Sequence, residues 1–395
     1  MMGNTPNIRF KGFTDDWEQR KLGEVFQEYS EKNHPELPAL TIIQGGGTVL
    51  REKSERKLQY DKSSLAWYKM VREDDFIVHL RSFEGGLEKS NHNGLISPAY
   101  HTFHGDEVDS RFYYPYFRSY EFIKHKLVPH VYGIRDGRSI DIDGMKTIEI
   151  PWTSYEEQKK IGDYIESLDT LITLHQRKCD ETKKLKKFML QKMFPKKDEK
   201  KPEIRFAGFT DDWEQRKFPE FVSFYNGLTY TPNDIQEMGT LVLRSSNVKN
   251  GEIVDADNVY VNDKVATSEN VQVGDIIVVV RNGSRALIGK HAQIKASMPN
   301  TVIGAFMSGI RSGQSSFVNA LLDTSAFENE IAKNMGATIN QITGYMFSKM
   351  EFMVPSEEEQ QQIGQYFSNL DHLITLHRRA YYNEKGELTN VHNDN

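Results

Sequence analysis

The sequence predicts an α+β fold with two mixed α/β domains, long coiled-coil helices between and after them, and a pseudo-twofold internal repeat. Three observations support this prediction. A short N-terminal segment occurs twice, a helical segment with a heptad pattern occurs twice, and the stretches between them alternate short apolar runs with turn residues. The length of 395 residues is sufficient for two domains with separate hydrophobic cores.

The repeats divide the chain into conserved and variable parts. Residues 8–21 and 204–217 are identical at 13 of 14 positions, and residues 154–177 and 356–379 at 15 of 24. Between them, the first variable region (22–153) shows little resemblance to the second variable region (218–355). A tandem duplication that drifted is the alternative interpretation, but it predicts even divergence. The abrupt partition favours one duplicated frame that carries two different functional regions.

Four segments follow from this pattern. The first domain with its N-terminal repeat segment covers residues 1–153, and a central spacer helix with a basic linker covers 154–203. The second domain with its repeat segment covers residues 204–355, and a short distal helix with a polar tail covers 356–395.

The central conserved segment predicts one long helix. Ser154 and Glu157 form a capping box, and Pro195 ends the helix because it lacks a backbone donor. Apolar and small residues recur in alternating steps of four and three, as in a coiled-coil seam; Lys186 interrupts the seam, where Leu185 can substitute. A helix from Glu156 to Phe194 spans about 58 Å at about 1.5 Å per residue, so we interpret it as a spacer. An ordinary core helix is the alternative.

The distal copy predicts a shorter helix. Its seam survives only to about Tyr381, and Gly386 and a polar tail follow. We therefore expect a helix about half as long as the first one. Antiparallel pairing with it would leave apolar surface around Met189 and Met193 uncovered, so the free chain is expected to self-associate.

A run of lysines follows the central seam. It predicts either a solvated helix end with its linker or a surface for DNA phosphates or an acidic partner. Its members are Lys183, Lys184, Lys186, Lys187, Lys192, Lys196, Lys197, Lys200 and Lys201.

Composition limits the function classes. The net charge of −6 disfavours non-specific coating of nucleic acid, although a local basic patch is sufficient for specific binding. Cys179 is the single cysteine, which excludes a disulfide framework and a cysteine-based zinc site and favours a reducing cytoplasm. The sequence shows neither an apolar run of membrane-spanning length nor a secretory signal, so no membrane association is expected.

Both variable regions predict mixed α and β structure with polar loops after the strands. We expect strands at 76–78, 94–100 and 139–142, and then at 241–243 and 276–280, with a helix over 317–335. Arginine pairs with guanine through two hydrogen bonds, and asparagine or glutamine pairs with adenine in the same way. Because such residues are common on any surface, the hypothesis rests on clusters rather than on single residues. The candidate DNA-contacting residues are Arg81, Asn91, Asn93, Arg135 and Arg138, and then Arg244, Asn247, Arg281, Asn282, Arg285, Asn340 and Gln341.

Catalytic motifs do not emerge from the sequence. The stretch from Gly283 to His291 differs from a phosphate-binding loop in its glycine spacing and in the residue after Lys290. An Asn-Pro-Pro-aromatic tetrapeptide and a paired-histidine metal motif are both missing. We therefore expect neither catalytic residues nor a bound cofactor or metal in this chain.

With these features together, the chain resembles the specificity subunit of type I restriction-modification systems. The residues that carry the resemblance are Phe10-Lys11-Gly12-Phe13, Trp17-Glu18, Leu22-Gly23-Glu24, Phe206-Ala207-Gly208-Phe209, Trp213-Glu214, Ile150-Pro151 with Glu157-Gln158 and Ile161, and Val354-Pro355 with Glu359-Gln360 and Ile363. The pattern covers both conserved segments and, through the domain order, nearly the whole chain.

The resemblance implies a non-catalytic protein. It implies two target-recognition domains that each read one half of a bipartite, asymmetric site in double-stranded DNA, and antiparallel conserved helices that set the gap. Two modification (methyltransferase) subunits would bring S-adenosylmethionine, and restriction subunits would bring ATP and Mg²⁺. The alternatives are a coiled-coil adaptor with two protein-binding domains and a self-contained nuclease or methyltransferase.

Overall fold

The computed structural model describes residues 6, 9–54, 62–79, 86–133, 139–335 and 340–394. The chain forms two compact units. Unit 1 comprises residues 1–176 and 379–395, and unit 2 comprises residues 177–378. In the part of the chain that the model describes, no helix is both long and apolar enough to cross a membrane.

Unit 1 contains the first variable region. Its strands are β1 (Glu18–Lys21), β2 (Gln27–Tyr29), β3 (Leu40–Ile43), β4 (Gly47–Leu50), β5 (Lys69–Val71), β6 (Phe76–His79), β7 (Glu88–Lys89), β8 (Gly94–Ile96), β9 (Tyr100–His104), β10 (Val131–Tyr132), β11 (Ser139–Ile140) and β12 (Glu149–Trp152). Its short helices are α1 (Leu22–Val25), α2 (Ser110–Phe117), a π-helical stretch (Phe122–Leu127) and α3 (Ile142–Lys146).

Unit 2 contains the second variable region. Its strands are β13 (Glu214–Lys217), β14 (Ser223–Asn226), β15 (Ile235–Gln236), β16 (Thr240–Leu243), β17 (Val248–Lys249), β18 (Glu252–Ile253), β19 (Val259–Val261), β20 (Ile276–Val279), β21 (His291–Gln293), β22 (Thr301–Ile303), β23 (Met307–Arg311) and β24 (Glu351–Val354). Its short helices are α5 (Ser315–Leu322), α6 (Ser325–Asn334) and α7 (Gly344–Lys349).

Each variable region contains a four-stranded central sheet, and the two sheets have the same topology although the sequences differ. The strand order is β2-β9-β6-β7 in unit 1 and β14-β23-β20-β21 in unit 2, and every pairing is antiparallel. In each sheet a tyrosine hydroxyl of the first strand donates to a buried aspartate just before the central strand, Tyr29 to Asp75 and Tyr225 to Asp275. The predicted α+β class is therefore correct, and the two units have central sheets of the same topology.

The duplicated frame has the same geometry in both units. β1 pairs antiparallel with β12, and β13 pairs with β24 in the equivalent register. Arg9 forms a bidentate ion pair with Glu157, with N–O distances of 2.6 and 2.7 Å, and Arg205 forms the same pair with Glu359 at 2.7 and 2.7 Å. Both glutamate side chains are 1% exposed. The glutamates of the predicted capping boxes therefore bind an arginine of the N-terminal repeat instead of the helix N-terminus.

The conserved helices α4 (Tyr155–Lys192) and α8 (Glu357–Asp394) each contain 38 residues. The predicted extent of α4 is nearly correct, whereas the prediction of a half-length second helix is wrong. Gly386 lies inside α8 because one glycine costs only about 1 kcal/mol relative to alanine, which the flanking helix formers offset. Tyr164 and His175 of α4 contact Glu387 and Glu384 of α8 within unit 1, so the helices are antiparallel there.

Two further expectations are corrected in unit 2. Met193 is 2% exposed and Met189 packs beside it against Trp213, Phe317 and Phe367 in the core, so the uncovered seam that led us to expect self-association does not exist. The single helix expected over 317–335 is two helices, α5 and α6. The two helices are separated at Asp323-Thr324, where the threonine hydroxyl donates to the carbonyl of Leu321 at 2.6 Å.

Candidate nucleic-acid interface

Three separate segments of the second variable region meet at one surface of unit 2. The Nδ2 of Asn282 donates to the Oγ of Ser245 at 3.2 Å, which joins the loop after β20 to the 3-10 turn after β16. The Nδ2 of Asn340 donates to the carbonyl of Gly283 at 3.1 Å, and Gln341 forms a β-bridge with Arg281. The three polar clusters chosen from the sequence are therefore neighbours in space.

Arg281 and Arg285 are the exposed cationic groups of this surface. The guanidinium carbon of Arg281 lies 5.0 Å from the ring centroid of Phe306, and the Arg281 amide donates to the Phe306 carbonyl at 3.2 Å. Phe306 is itself 54% exposed. This cation–π contact limits the side chain to few orientations while it leaves the guanidinium donors free for an acceptor. Sequence reasoning missed Phe306, because a lone aromatic in a loop has no periodic signal.

Asn247 does not fit the role predicted for it. It is 0% exposed, its Oδ1 accepts from the Arg244 amide at 2.9 Å, and its Nδ2 donates to the carbonyl of Ala256 at 2.7 Å. Its polar groups are satisfied inside the protein, so Asn247 shapes the turn rather than reading bases. Arg244 is half-buried and donates to the carbonyl of Asp257 at 2.6 Å, which also orients its guanidinium toward the protein.

The first variable region has a glycine turn that sequence reasoning did not select. Gly45 and Gly47 have φ values of +80° and +68° in the turn between β3 and β4. Their amides donate to the two carboxylate oxygens of Glu88 at 2.8 and 3.2 Å, and Glu88 is 9% exposed. Three successive glycines between two short apolar stretches were the available signal for this hairpin.

Neighbouring side chains hold the glycine turn in place. Arg118 pairs with Glu88 at 2.6 Å, and the Tyr114 hydroxyl donates to it at 2.8 Å. Burial, followed by the hydrogen bond to Glu88, raises the pKa of Tyr114 to about 12, so the phenol stays a donor. The Nδ2 of Asn91 donates to the carbonyls of Gly46 and Thr48 at 2.9 and 3.2 Å, so this candidate supports the turn.

The other candidates of the first variable region stand as follows. Asn93 is exposed and accepts from the Glu73 amide at 2.9 Å, which leaves its amide donors available. Arg81, Arg135 and Arg138 lie outside the described residues.

Most of the lysine run binds carboxylates of its own unit. Lys186 binds Asp323 and Asp371, Lys192 and Lys196 bind Glu203, and Lys200 and Lys201 approach Asp212. Lys184, Lys187 and Lys197 are exposed and make no ion pair within the described part of the chain. These pairs reduce the charge that the run offers to DNA phosphates.

The assembled surface carries hydrogen-bond donors. Asn282 and Asn340 join the loops that carry Ser245 and Arg281, and Arg281 and Arg285 expose guanidinium groups, a type of donor that can bind acceptors on base edges. Over the ranges that the model describes, no group of three or more His, Cys, Asp or Glu residues has the arrangement of a metal site.

Comparison with known proteins places these features in a family. A family model described as "Type I restriction modification DNA specificity domain" matches residues 210–384. The type I restriction enzyme MjaVIII specificity subunit of Methanocaldococcus jannaschii is 25% identical over 253 residues, which are 61% of this chain and 59% of that protein. The StySPI specificity subunit of Salmonella potsdam is 24% identical over 169 residues, which are 40% of this chain and 36% of that protein.

The chain spans less than two thirds of the length of these two relatives. A crystal structure of the type I restriction-modification S subunit from M. genitalium has the same fold, with a TM-score of 0.62 and 14% identity over 99% of this chain and 98% of that one. Residues 210–384 thus match the family model of the type I restriction modification DNA specificity domain, and the matches confirm the resemblance of the chain to the specificity subunits of type I restriction-modification systems.

Proposed function

We propose that this chain is the DNA-sequence-recognition subunit of a type I restriction-modification complex. It reads a bipartite, asymmetric site in double-stranded DNA, one half with each variable region. The observation that carries the proposal is the meeting of the three polar segments around Arg281, Asn282 and Asn340 inside the domain that the family model matches. Two different surfaces on one duplicated frame account for an asymmetric site.

The chain also serves as the scaffold for two modification subunits and for restriction subunits in the cytoplasm. S-adenosylmethionine, ATP and Mg²⁺ belong to those partners, and this chain contributes recognition without catalysis. The curated relatives, which are named as specificity subunits, support this part of the proposal. The length of α4, 38 residues or about 57 Å at about 1.5 Å per residue, supports a role of the conserved helices in setting the gap between the half-sites.

Arg281→Ala tests the recognition role. We expect it to relax one base of the second half-site and to leave the first half-site unchanged, since an arginine–guanine pair contributes roughly 1–3 kcal/mol of discrimination. The measurement is the sequence of methylated sites in DNA treated with the complex of this chain and its modification subunits. Arg216→Ala is the matched control, because Arg216 lies on β13 of the duplicated frame and contacts Glu220.

Other outcomes would contradict the proposal at defined points. A uniform loss of binding on all sequences with a weaker salt dependence would make Arg281 a phosphate contact. If the complex binds no DNA sequence-specifically, the chain is an adaptor. Methylation by this chain alone with S-adenosylmethionine would contradict the non-catalytic assignment.

A further inference from the structure

The second variable region contacts the conserved helices through a partly buried charge cluster in unit 2. The Nζ of Lys186 lies 2.6 Å from Asp323 and 2.6 Å from Asp371, and its side chain is 14% exposed. Lys186 belongs to α4 and Asp371 to α8, whereas Asp323 follows the last turn of α5 in the variable region. One ammonium group therefore joins both conserved helices to the variable region. Lys186, and not Leu185, which is 45% exposed, occupies the seam position.

The charges around this junction balance. A cavity of about 100 Å³ is lined by the carboxylates of Asp323, Asp371 and Glu252 and by the cations Lys186, Lys295 and Arg378. Glu252 binds Arg378 and Thr375 of α8, and the Nε2 of His291 lies 3.4 Å from Asp323. Burial lowers the pKa of Lys186, but the two aspartates outweigh it and the pKa rises. Loss of any one charge leaves an uncompensated partner in a partly buried site.

Unit 1 retains only part of this arrangement. α4 and α8 begin and end at the same offset of 202, so Asp371 corresponds to Asp169, Lys186 to Leu388 and Arg378 to Gln176. The aspartate is kept while both cations are replaced. Among the described residues, Asp169 has no hydrogen-bond or ion-pair partner, and burial, with the nearby Glu166, raises its pKa.

The first variable region is joined to its helix with the opposite polarity. The Nη1 of Arg111, in the first turn of α2, lies 2.7 Å from Asp163 and 2.7 Å from Glu166 of α4. The corresponding residues of α8 are Gln365 and Ser368. The helix side is thus acidic at the first junction, whereas at the second junction the helices contribute the cations Lys186 and Arg378.

A glycine at the same position of both conserved helices, Gly162 and Gly364, allows a helix of each variable region to approach closely. A Cβ at Gly162 would lie 3.1 Å from the Cβ of Arg111, and a Cβ at the equivalent Gly364 would lie 3.0 Å from the Cβ of Ser316 in α5. α2 and α5 therefore approach their conserved helices at the same place. The glycine is identical in the two repeats, whereas Asp163 and Glu166, which contact Arg111, are among the nine residues that differ.

We propose that these junctions are selective: the Lys186 junction accepts a variable region with a carboxylate at the position of Asp323, and the Asp163–Glu166 junction accepts one with a cation at the position of Arg111. The junction residues are positioning residues that assign each variable region to its own conserved helix. The assignment of half-sites to the two ends of the DNA target then follows, and only this last step rests on the proposed function.

Melting of the free chain tests the Lys186 junction without DNA. Lys186→Leu introduces the residue of the other repeat and leaves Asp323 and Asp371 facing each other; we expect the melting temperature of unit 2 to fall on the order of 10 °C. Asp323→Asn added to that variant should recover most of the loss, because it removes the unpaired charge. Leu185→Ala is the control at the exposed neighbour. Equal melting of Lys186→Leu and the native chain, or no recovery with Asp323→Asn, would overturn the proposal.

A chimera tests selectivity itself. Residues 218–350 replace residues 22–148, so that both frames carry the second variable region. We expect the melting temperature of unit 1 in this chimera to lie well below that of unit 2. The substitutions Leu388→Lys and Gln176→Arg introduce the two cations of the other repeat and should remove most of this difference. With modification subunits, the repaired chimera should methylate a symmetric site made of two second half-sites. Equal melting with and without the two cations would overturn selectivity, whereas the expected melting without any methylation would contradict the proposed function alone.

Discussion

Removal of Arg205 probes the pair that joins the N-terminal repeat of unit 2 to the start of α8. Arg205 is 14% exposed and Glu359 is 1% exposed, so Arg205→Ala leaves a carboxylate buried without its cation. Breaking a buried pair from one side costs about 3–5 kcal/mol. Among the described residues, the Nε1 of Trp213 has no hydrogen-bond partner, and Pro355 offers no hydroxyl, so neither one compensates Glu359.

The equivalent change in unit 1 should cost less. Glu157 accepts hydrogen bonds from the Thr153 hydroxyl at 2.5 Å and from the Trp17 indole at 3.2 Å. A hydrogen bond to a charged group contributes about 1.5–3 kcal/mol, so we expect Arg9→Ala to destabilise its unit by about 2 kcal/mol less than Arg205→Ala.

Pulse-labelling hydrogen exchange across a urea titration measures both losses separately. Peptides from residues 9–21 and 205–217 report on the two N-terminal repeats in the same sample. Adding Glu359→Gln to Arg205→Ala should recover at least half of the loss, because a neutral amide replaces the stranded charge. Equal losses in the two units, or no recovery with Glu359→Gln, would refute the reasoning from the buried carboxylates.

Three further outcomes follow from the structure. Gly386→Ala should raise the stability of α8 by about 0.5–1 kcal/mol in chemical denaturation, since a Cβ there has no neighbour within 4 Å; a loss would show that the helix does not continue through this position. Gly47→Ala should cost about 1–3 kcal/mol or more, because φ is +68° and the Cβ would lie 2.5 Å from the Lys89 carbonyl, while Gly283→Ala, in open space, is the neutral control. Burial raises the pKa of Asp275, but hydrogen bonds from Arg311 outweigh this effect, and the pKa is lowered. The contribution of Asp275 to the free energy of unfolding is therefore complete above about pH 4 and is lost as acid protonates the carboxylate in the folded protein. Asp275→Asn should flatten this part of the pH profile of unfolding.

Patterns that depend on local physics were predictable from the sequence. The heptad pattern of residues 154–194 and the stop at Pro195 gave the extent of α4, and the apolar run at Ile276 gave β20, which is almost fully buried. Two of the polar clusters follow predicted strands, β16 and β20, and the structure brings both of them next to Asn340 and Gln341. The two strands belong to different sheets, so the strand assignment alone did not predict that the clusters meet.

Features that depend on contacts distant in sequence were not predictable. The helix α8 continues past Gly386, and its contacts with His175 and Tyr164 of α4 lie more than 200 residues apart in sequence. The burial of Asn247 was hidden because an asparagine that closes a turn and one that reads a base have the same neighbours in sequence. The common sheet topology was hidden as well, since the recurring pairs Tyr29–Asp75 and Tyr225–Asp275 each join residues more than 40 positions apart in sequence.

Within the second variable region, residues of the sheet and residues of the surface differ in the contacts that each must satisfy. Asp275 is 1% exposed and binds Tyr225 and Arg311, so a change there strands buried polar groups. Arg281 lies six residues further along the chain, is exposed, and contacts an exposed ring and backbone. Substitution at such a position costs the fold little, so a surface of this kind can change its target while the sheet beneath it stays the same. The junction residues on the conserved helices are the exception, because they contact the variable regions directly and must change together with them.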